Sequence, residues 1–469
     1  MSISAPAAPQ KAPQKAPQKA RPLLTEGAVG RTLVVFSLPI LLTNVLQSLN
    51  GSVNSIWVGR YLGSAALTAT SNANTIMFFL IGVVFGVGMA ASILVGQSIG
   101  AQNVDQAKRV IGTSASFFIL AAIAISVVGF VFSPQLLSWM RTPPDAFPYA
   151  VAYLRVIFAG MPFIFVYAFV TIVLRGAGDA KTPMLFSMMS VGLDIGLNPL
   201  LMFGVGPFPR LGIAGAATAT LLANGTTLIA LVVHLYRKKH FLCLRGPELA
   251  YLRPKRVLLR ALVKKGLPMG AQMIVMSSSA IVMISLVNGF GSSTSAAFGA
   301  ALQLWNYIQM PAFAVGMAAS AMAAQNVGAG LWARVDRIAI VGVGVNFMMT
   351  GTVAAVIYLF DTRALGLFLT EPAAIAVGVH LNAIVVWSFT LFGVSMVLSS
   401  VVRSTGAVLP PLAILFISLW VLRIPFAVLF VSRWSADAIW WSFPLGSLAS
   451  VVLSIAYYRF GNWRSARMM

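Results

Sequence analysis

Long apolar runs recur along the whole chain and are separated by short polar links. A run of about 18 or more apolar residues can cross the roughly 30 Å hydrocarbon core of a bilayer as a helix. The pattern predicts about twelve spans, centred near residues 42, 80, 121, 161, 192, 223, 274, 312, 348, 386, 419 and 448. The predicted fold class is therefore all-α and integral to the membrane. The first run is too long for a removable signal peptide and lacks the small-residue cleavage pattern, so we expect a retained helix.

Composition supports the same class. The 469 residues are 59% hydrophobic and 9% charged, and the mean hydropathy is +0.88. A soluble protein of this size has no use for so much apolar surface, because only its core faces away from water. The lipid bilayer is accordingly the first partner that the chain predicts.

The basic residues are unevenly placed. A formal net charge of +22 would suggest nucleic acid if the chain were a soluble domain. On a twelve-span scheme, however, roughly 25 of the 32 Lys and Arg fall in the tails and the even-numbered links. The positive-inside rule accounts for these charges, so we expect no nucleic-acid partner and place both termini in the cytoplasm.

Few residues could support metal or redox chemistry. Cys243 is the single cysteine, which excludes an intrachain disulfide and a thiolate metal cluster. His234, His240 and His380 have no metal-ligand spacing. We predict no metal, no other cofactor and no catalytic residues. His380, placed near an end of the tenth span, is a second titratable candidate or a structural histidine.

The chain contains an internal repeat. Residues 86–110 match residues 314–338, and residues 174–184 match residues 402–412. Val87 and Val315, and Arg175 and Arg403, are both separated by 228 positions. A constant offset at separate places indicates a six-span unit that occurs twice. Six is even, so the copies are parallel, and transporters place their binding site between such repeats near mid-membrane.

The repeat and the charge pattern divide the chain into five parts. The first is a disordered cytoplasmic tail with PQKA repeats, whose lysines could rest on anionic lipid. Two six-helix lobes follow, with a cytoplasmic linker between them and a short cytoplasmic tail after them. Their predicted bounds are 1–28 for the first tail, 29–236 and 261–460 for the lobes, 237–260 for the linker and 461–469 for the last tail.

The motifs resemble the multidrug and toxic compound extrusion (MATE) family. The likeness covers nearly the whole chain after the tail, through SLPILLTNVLQSLNGSVNSIWVGRYLGSAALTA, GMAASILVGQSIGA, LRGAGDAKTPM and LNPLLMFGVG. The resemblance implies twelve helices in two six-helix lobes around a central cavity. It also implies export of organic cations or other amphipathic drugs in exchange for H⁺ or Na⁺, across a bacterial inner (cytoplasmic) membrane. We expect a monomer.

This chain departs from the family pattern at the usual ion site. Asn54 stands where the family often has an aspartate in the first helix. In the fifth helix the order of Asp and Asn is reversed, giving Asp194 and then Asn198. The seventh helix, LPMGAQMIVMSSSAIVM, has no acid. The family's ion site is thus only partly carried over.

Asp194 is the one acidic residue that the pattern places deep in a span. The other nine, Asp361 among them, are predicted in tails, links or span ends that water reaches. A carboxylate at that depth costs roughly 2.5 to 3.5 kcal/mol, so it should face a cavity or a partner. We predict an ion-coupling site around it, formed by Asp194, Asn198, Asn54, Ser190 and Thr220. The alternative is interhelical packing, with Asp194 bonded to Ser190, Thr218 or Thr220.

Other polar residues within the spans are candidates for a substrate cavity: Gln47, Asn50, Asn72, Gln303, Asn306, Gln309 and Trp305. Aromatic faces bind organic cations, and the many Met residues could repack around varied ligands. Taken singly, each polar residue could equally be a helix-packing contact. Pro39 and Pro268, at equivalent places in the first and seventh helices, are predicted kinks with either a functional or a packing role.

The predicted function is secondary active antiport by alternating access, with Asp194 as the coupling carboxylate. The alternative within the superfamily is a flippase for a lipid-linked substrate, which would need a more cationic cavity. A membrane-embedded enzyme would need clustered acids, a His-based metal site, or a nucleophile with a base. One deep aspartate supplies none of these. The duplicated lobes also disfavour a channel.

Overall fold

A computed structural model describes residues 24–468, apart from the side chains of Ser64, Phe78, Phe79, Ile81 and Val83. The PQKA repeats of the predicted tail lie outside these residues. The first half of the molecule has six long helices. They are α1 (Val29–Leu62), α2 (Ser64–Gly100), α3 (Val104–Trp139), α4 (Phe147–Gly176), α5 (Lys181–Phe203) and α6 (Ile213–Arg237).

The second half repeats this plan with interruptions. It consists of α7 (Arg256–Asn288), α8 (Ser292–Gly328), α9 (Trp332–Leu359), α10 (Asp361–Gly366), α11 (Pro372–Val385), α12 (Ser388–Arg403), α13 (Leu409–Phe416), α14 (Ile424–Trp434) and α15 (Ala436–Phe460). A 3₁₀ segment, Gly246–Leu252, lies between the halves, and a π-helical segment, Ile417–Arg423, joins α13 to α14.

The described part of the chain accounts for the predicted spans. Ten of its helical segments are long and apolar enough to cross a membrane, counting Leu409–Trp434 as one. The pair α11 and α12, bent by 44°, makes an eleventh. α2, with 37 residues, is the remaining long helix and the repeat counterpart of α8. The all-α membrane fold is confirmed.

Both described chain ends lie at one end of the helix bundle, which we call the terminal side. The backbone N–H of Leu24 donates to Oε1 of Gln325 near the end of α8, at 2.9 Å. The hydroxyl of Thr405, just after α12, donates to the carbonyl of Trp463 at 2.9 Å. The opposite end is called the far side.

The first helix of each half crosses to the other half. Leu33, Phe36 and Ile40 of α1 belong to the hydrophobic core formed by α8, α9 and α12. Leu262 and Met269 of α7 belong to the core of the first half. Pro39 and Pro268 lie within these two helices, which continue through them without a break.

The halves are closed against each other on the terminal side. A Cβ atom at Gly100 would collide with the carbonyl oxygen of Gln325, and one at Gly328 with that of Gln97. A Cβ atom at Gly86 would likewise collide with the backbone of Gly266 and Gly270. Only glycine permits helices to approach this closely. The terminal ends of α2, α7 and α8 therefore form a sealed crossing between the halves.

Candidate functional site

Asp194 lies deep in α5, about 20 Å from the start of the helix at 1.5 Å per residue. Its side chain is 3% exposed. It lies where three helices meet, because its own helix α5 packs against α1 and α6. Asp194 is thus buried as expected, but it is not the one buried acid of the described chain, because Asp361 is buried as well.

Neutral groups satisfy the carboxylate. Nδ2 of Asn50 donates to Oδ2 of Asp194 at 2.6 Å, and the hydroxyl of Thr220 lies 3.1 Å from Oδ1. Among residues 24–468 there are four ion pairs, and none includes Asp194. Hydrogen bonds to neutral donors offset only part of the cost of burying a charge. The carboxylate of Asp194 therefore lacks a compensating positive charge, which a proton or a metal cation could supply.

A second layer of polar groups lies one turn along α5. Nδ2 of Asn198 donates to Oδ1 of Asn54 at 3.0 Å. Oδ1 of Asn198 is buried and has no hydrogen-bond partner in the described residues. The side chain of Tyr153, from α4, lies beside that of Asn54. A single tyrosine in an apolar helix gives little signal in a sequence, and our sequence analysis did not select Tyr153.

Four of the five predicted ion-coupling residues thus meet in one cluster: Asp194, Asn198, Asn54 and Thr220. Ser190, one turn before Asp194, has no hydrogen bond to it in the described structure. Asn50, predicted for the substrate cavity, contacts the carboxylate instead. Gln47 lies on the same face of α1 as Asn50 and Asn54, at the exposed end of that polar stripe.

The predicted cavity residues of α8 separate into two groups. Gln303 and Asn306 are exposed and lie on one helix face with Phe313 and Met317. Met317 contacts Arg175 of the first half, with 4.0 Å between Sδ and Nη1. Gln303 and Asn306 therefore face the space between the halves.

The second group lines an internal cavity of about 140 Å³ within the second half, and it consists of Trp305 and Gln309. Trp305 is 1% exposed, and its Nε1 donates to Oδ1 of Asn382 at 2.9 Å. Asn72 donates to the hydroxyl of Thr142 at 3.1 Å, which is a packing contact within the first half.

One expectation about charge is wrong, and one basic residue is more buried than its place at the end of a span suggests. Asp361, predicted to be accessible to water, is 6% exposed and accepts a hydrogen bond from Asn382 at 2.7 Å. It begins α10 on the far side, outside the spans, and burial raises its pKa to about 6. Arg403, which the charge pattern counts among the basic residues of the even-numbered links, is the last residue of α12; it is 8% exposed and lines a second cavity. In both cases the ends of neighbouring helices cover side chains that the linear pattern left in water.

His380 is not part of a buried site. Its Nε2 lies 2.8 Å from Oδ1 of Asp437, and both side chains are about half exposed. The pair joins α11 to α15 at the surface of the far side. This geometry gives His380 a surface packing role in the structure.

The two repeated halves, the polar cluster at Asp194 and the polar faces turned toward the space between the halves define a multi-span membrane transporter. The MatE family model matches residues 39–200 and 268–429, one match in each half. The chain therefore belongs to the MATE family, whose members are transporters rather than enzymes and need no cofactor.

Bacterial relatives of similar length support this assignment. The chain is 36% identical over 445 residues to the probable multidrug resistance protein YoeA of Bacillus subtilis, covering 94% of this chain and 96% of that one. It is 34% identical to the probable multidrug resistance protein YpnP of the same organism, covering 95% and 98%. A solved MATE transporter in an outward-facing conformation shares the fold, with a TM-score of 0.87, 22% identity and coverage of 95% and 98%.

Proposed function

We propose that this protein is a secondary active antiporter that exports organic cations or drugs in exchange for H⁺ or Na⁺, with Asp194 as the coupling carboxylate. The observation that carries the proposal is the burial of Asp194 among neutral donors, without a cationic side chain. Two relatives named as probable multidrug resistance proteins support drug export. The protein would work in the bacterial inner membrane with both termini in the cytoplasm, as the distribution of Lys and Arg favours.

Alternating access would use the two halves as rocking bodies. With the terminal side cytoplasmic, the glycine crossing between α2, α7 and α8 closes the cytoplasmic end, so the structure represents an outward-facing state. Asp194 is then loaded from outside. Loading must favour one orientation of the halves over the other, because a ligand with equal affinity for both states shifts nothing.

Both coupling ions fit the cluster. A proton requires only the carboxylate of Asp194. Na⁺ requires several oxygen ligands, and Asp194, Asn198, Asn54 and Thr220 place such oxygens close together. The unpartnered Oδ1 of Asn198 could accept a hydrogen bond from a protonated neighbour or coordinate the metal ion.

The space between the halves would hold the substrate. Gln47 on α1 and Gln303 and Asn306 on α8 supply exposed polar groups on facing elements. Phe85 and Phe313, with Met89 and Met317, occupy repeat-equivalent positions at the inner end of this space. Flexible Met and aromatic side chains suit a site that must accept unlike drugs.

A flippase for a lipid-linked substrate is the second candidate. One observation favours it: the second half contains two arginines, Arg403 and Arg423, beside internal cavities. A phosphate-bearing substrate would use such charges. Transport of a fluorescent lipid without any requirement for an ion gradient would support this candidate over drug antiport.

Dye efflux from proteoliposomes tests the main proposal. Efflux of a cationic dye is measured under an imposed pH gradient or an imposed Na⁺ gradient, for wild type and Asp194→Asn. We expect one of the gradients to drive efflux and the variant to lose it. Asp145→Asn makes the same chemical change at an exposed position between α3 and α4, and should retain efflux. Gradient-driven efflux by Asp194→Asn at the wild-type rate would refute the coupling role.

A further inference from the structure

Two cavities adjoin, and each contains a guanidinium group. One, of about 60 Å³, is lined by Arg403, and the other, of about 140 Å³, is lined by Arg423. The cavity at Arg403 also has Phe85 and Met89 of the first half in its wall, at the inner end of the space between the halves. They share Met276, Phe392, Leu415 and Ser450 as lining residues. The rest of the wall is mainly apolar. The two cavities therefore form one apolar space with the guanidinium group of Arg403 in one part and that of Arg423 in the other.

Arg403 has more donors than acceptors around it. Nη1 donates to Oε1 of Gln272 at 2.5 Å, and Nη2 donates to the hydroxyl of Ser400 at 2.8 Å. Its Nε is buried without a partner, and so is Nε2 of Gln272. Leaving buried donors unsatisfied costs about 1 to 3 kcal/mol each. The missing component beside Arg403 is a hydrogen-bond acceptor.

Arg423 ends the π-helical segment, about 21 Å from the start of α13 and therefore deep in the span. Its guanidinium carbon lies 3.5 Å from the ring centroid of Phe443, and its Nε has no hydrogen-bond partner in the described residues. A cation at such depth costs roughly 2.5 to 3.5 kcal/mol unless it is paired or faces a cavity. π-Helical turns are frequent at functional sites.

No carboxylate neutralises either arginine. The four ion pairs found within residues 24–468 include neither Arg403 nor Arg423. Asp361, the buried acid of the second half, is bonded to Asn382. The two cavities therefore carry an uncompensated positive charge, opposite in sign to the Asp194 cluster of the first half.

We propose that these adjoining cavities form a binding site for an organic anion. A carboxylate or phosphate group would accept the free donors of Arg403 and Gln272, while a small apolar body would contact the Met and Phe side chains and extend toward the cavity at Arg423. Size supports this class, since an apolar protein cavity of about 150 Å³ can hold benzene. The Arg403 part lies at the inner end of the proposed substrate space, and binding of an anion there goes beyond the proposed cation antiport at Asp194.

The repeat supplies a matched control. Arg175 is the counterpart of Arg403 in the first half, but the pocket beside it is only about 10 Å³. Arg175 is thus an arginine at the equivalent place in the repeat, but the pocket beside it has no space for a ligand. Arg175→Gln therefore reports on the general effect of removing such an arginine.

Equilibrium dialysis of the full chain in phosphatidylcholine nanodiscs tests the site, with radiolabelled 4-phenylbutyrate and the neutral 4-phenylbutanol as probes. Wild type should bind the acid at least tenfold more tightly than the alcohol. Arg403→Gln should weaken binding of the acid about tenfold, the size expected for one charge-assisted contact, and Arg423→Gln, which removes the more distant charge, should weaken it less. Arg423→Lys should keep most of the affinity, and Arg175→Gln should match wild type.

Repeating the dialysis with phosphatidylglycerol in the nanodiscs identifies the source of the anion. Competition that appears in wild type and is absent in Arg403→Gln supports a lipid headgroup as the occupant. Unchanged affinity supports a dissolved organic anion. Equal binding of acid and alcohol by wild type, or equal losses in Arg403→Gln and Arg175→Gln, would overturn the proposal. The comparison of probes on wild type needs no variant, so it holds even if a substitution prevents folding.

Discussion

Gln97 and Gln325 occupy equivalent positions in the two halves, and each donates a hydrogen bond across to the other half. Nε2 of Gln97 lies 2.6 Å from the carbonyl oxygen of Ser404, and Nε2 of Gln325 lies 3.1 Å from that of Gly176. The two acceptors are themselves 228 positions apart, the offset of the repeat. The duplication has therefore produced a symmetric pair of bonds on the terminal side, and the proposed alternating access would break both.

Removing these bonds should favour the opposite orientation of the halves. Each neutral hydrogen bond contributes about 0.5 to 1.5 kcal/mol, so Gln97→Ala with Gln325→Ala should shift the equilibrium by about 1 to 3 kcal/mol. Spin labels at Ala101 and Ala333, in a Cys243→Ser background, should report a longer distance by double electron–electron resonance. Gln135→Ala, at an exposed far-side position, is the control. An unchanged distance distribution in the double variant would show that the pair does not hold the closed state.

The glycine crossing should tolerate no added methyl group. Gly328→Ala places its Cβ against the carbonyl of Gln97, and overpacking of this kind costs about 1 to 3 kcal/mol. We expect a lower thermal unfolding midpoint in detergent and slower dye efflux. Gly344→Ala, where nothing lies within 4 Å of the new Cβ, should leave both unchanged. Equal behaviour of the two variants would mean that the crossing is looser than the structure implies.

The hydroxyl of Thr220 should matter more than that of Thr218. Thr220 donates to Asp194 at 3.1 Å and also lies 3.3 Å from the carbonyl oxygen of Ala216, whereas Thr218 donates to the carbonyl of Ala214 in its own helix, at 2.7 Å. Thr220→Val removes a hydrogen-bond donor from the buried carboxylate of Asp194. If the lost bond weakens ion binding by about 1.4 kcal/mol, the affinity for the coupling ion falls about tenfold. Gradient-driven dye efflux should slow about tenfold in Thr220→Val and little in Thr218→Val. The prediction fails if both substitutions slow efflux to the same extent.

Asp361 should make stability depend on pH. Its pKa in the folded protein is about 6, above the ordinary value of 3.8. Between these values the folded state binds more protons than the unfolded state, so stability falls as pH rises from about 4 to about 6. The change should be on the order of 1 to 3 kcal/mol. Thermal unfolding midpoints across this range should decline for wild type. They should stay level for Asp361→Asn, and a matching decline there would assign the effect to another group.

The sequence by itself determined the class and plan of the protein. Apolar run length depends only on the thickness of the bilayer, so the spans could be read directly from the chain. The 228-residue offset identified the two halves, and Asp194 was recognised as a deep acid because its span has no other charge near it. Span length and the depth of Asp194 depend on residues that are close in the sequence, and the repeat has a constant offset, so all three can be read without the tertiary structure.

Tertiary structure decided which side chains meet. Asn50 and Asp194 are 144 positions apart, and nothing in either helix specifies that the amide reaches the carboxylate. The same is true of Tyr153 beside Asn54, and of Arg403, whose burial depends on packing by other helices of the second half. Side-chain partners across helices depend on the rotation and depth at which the helices pack, and hydropathy does not encode these quantities.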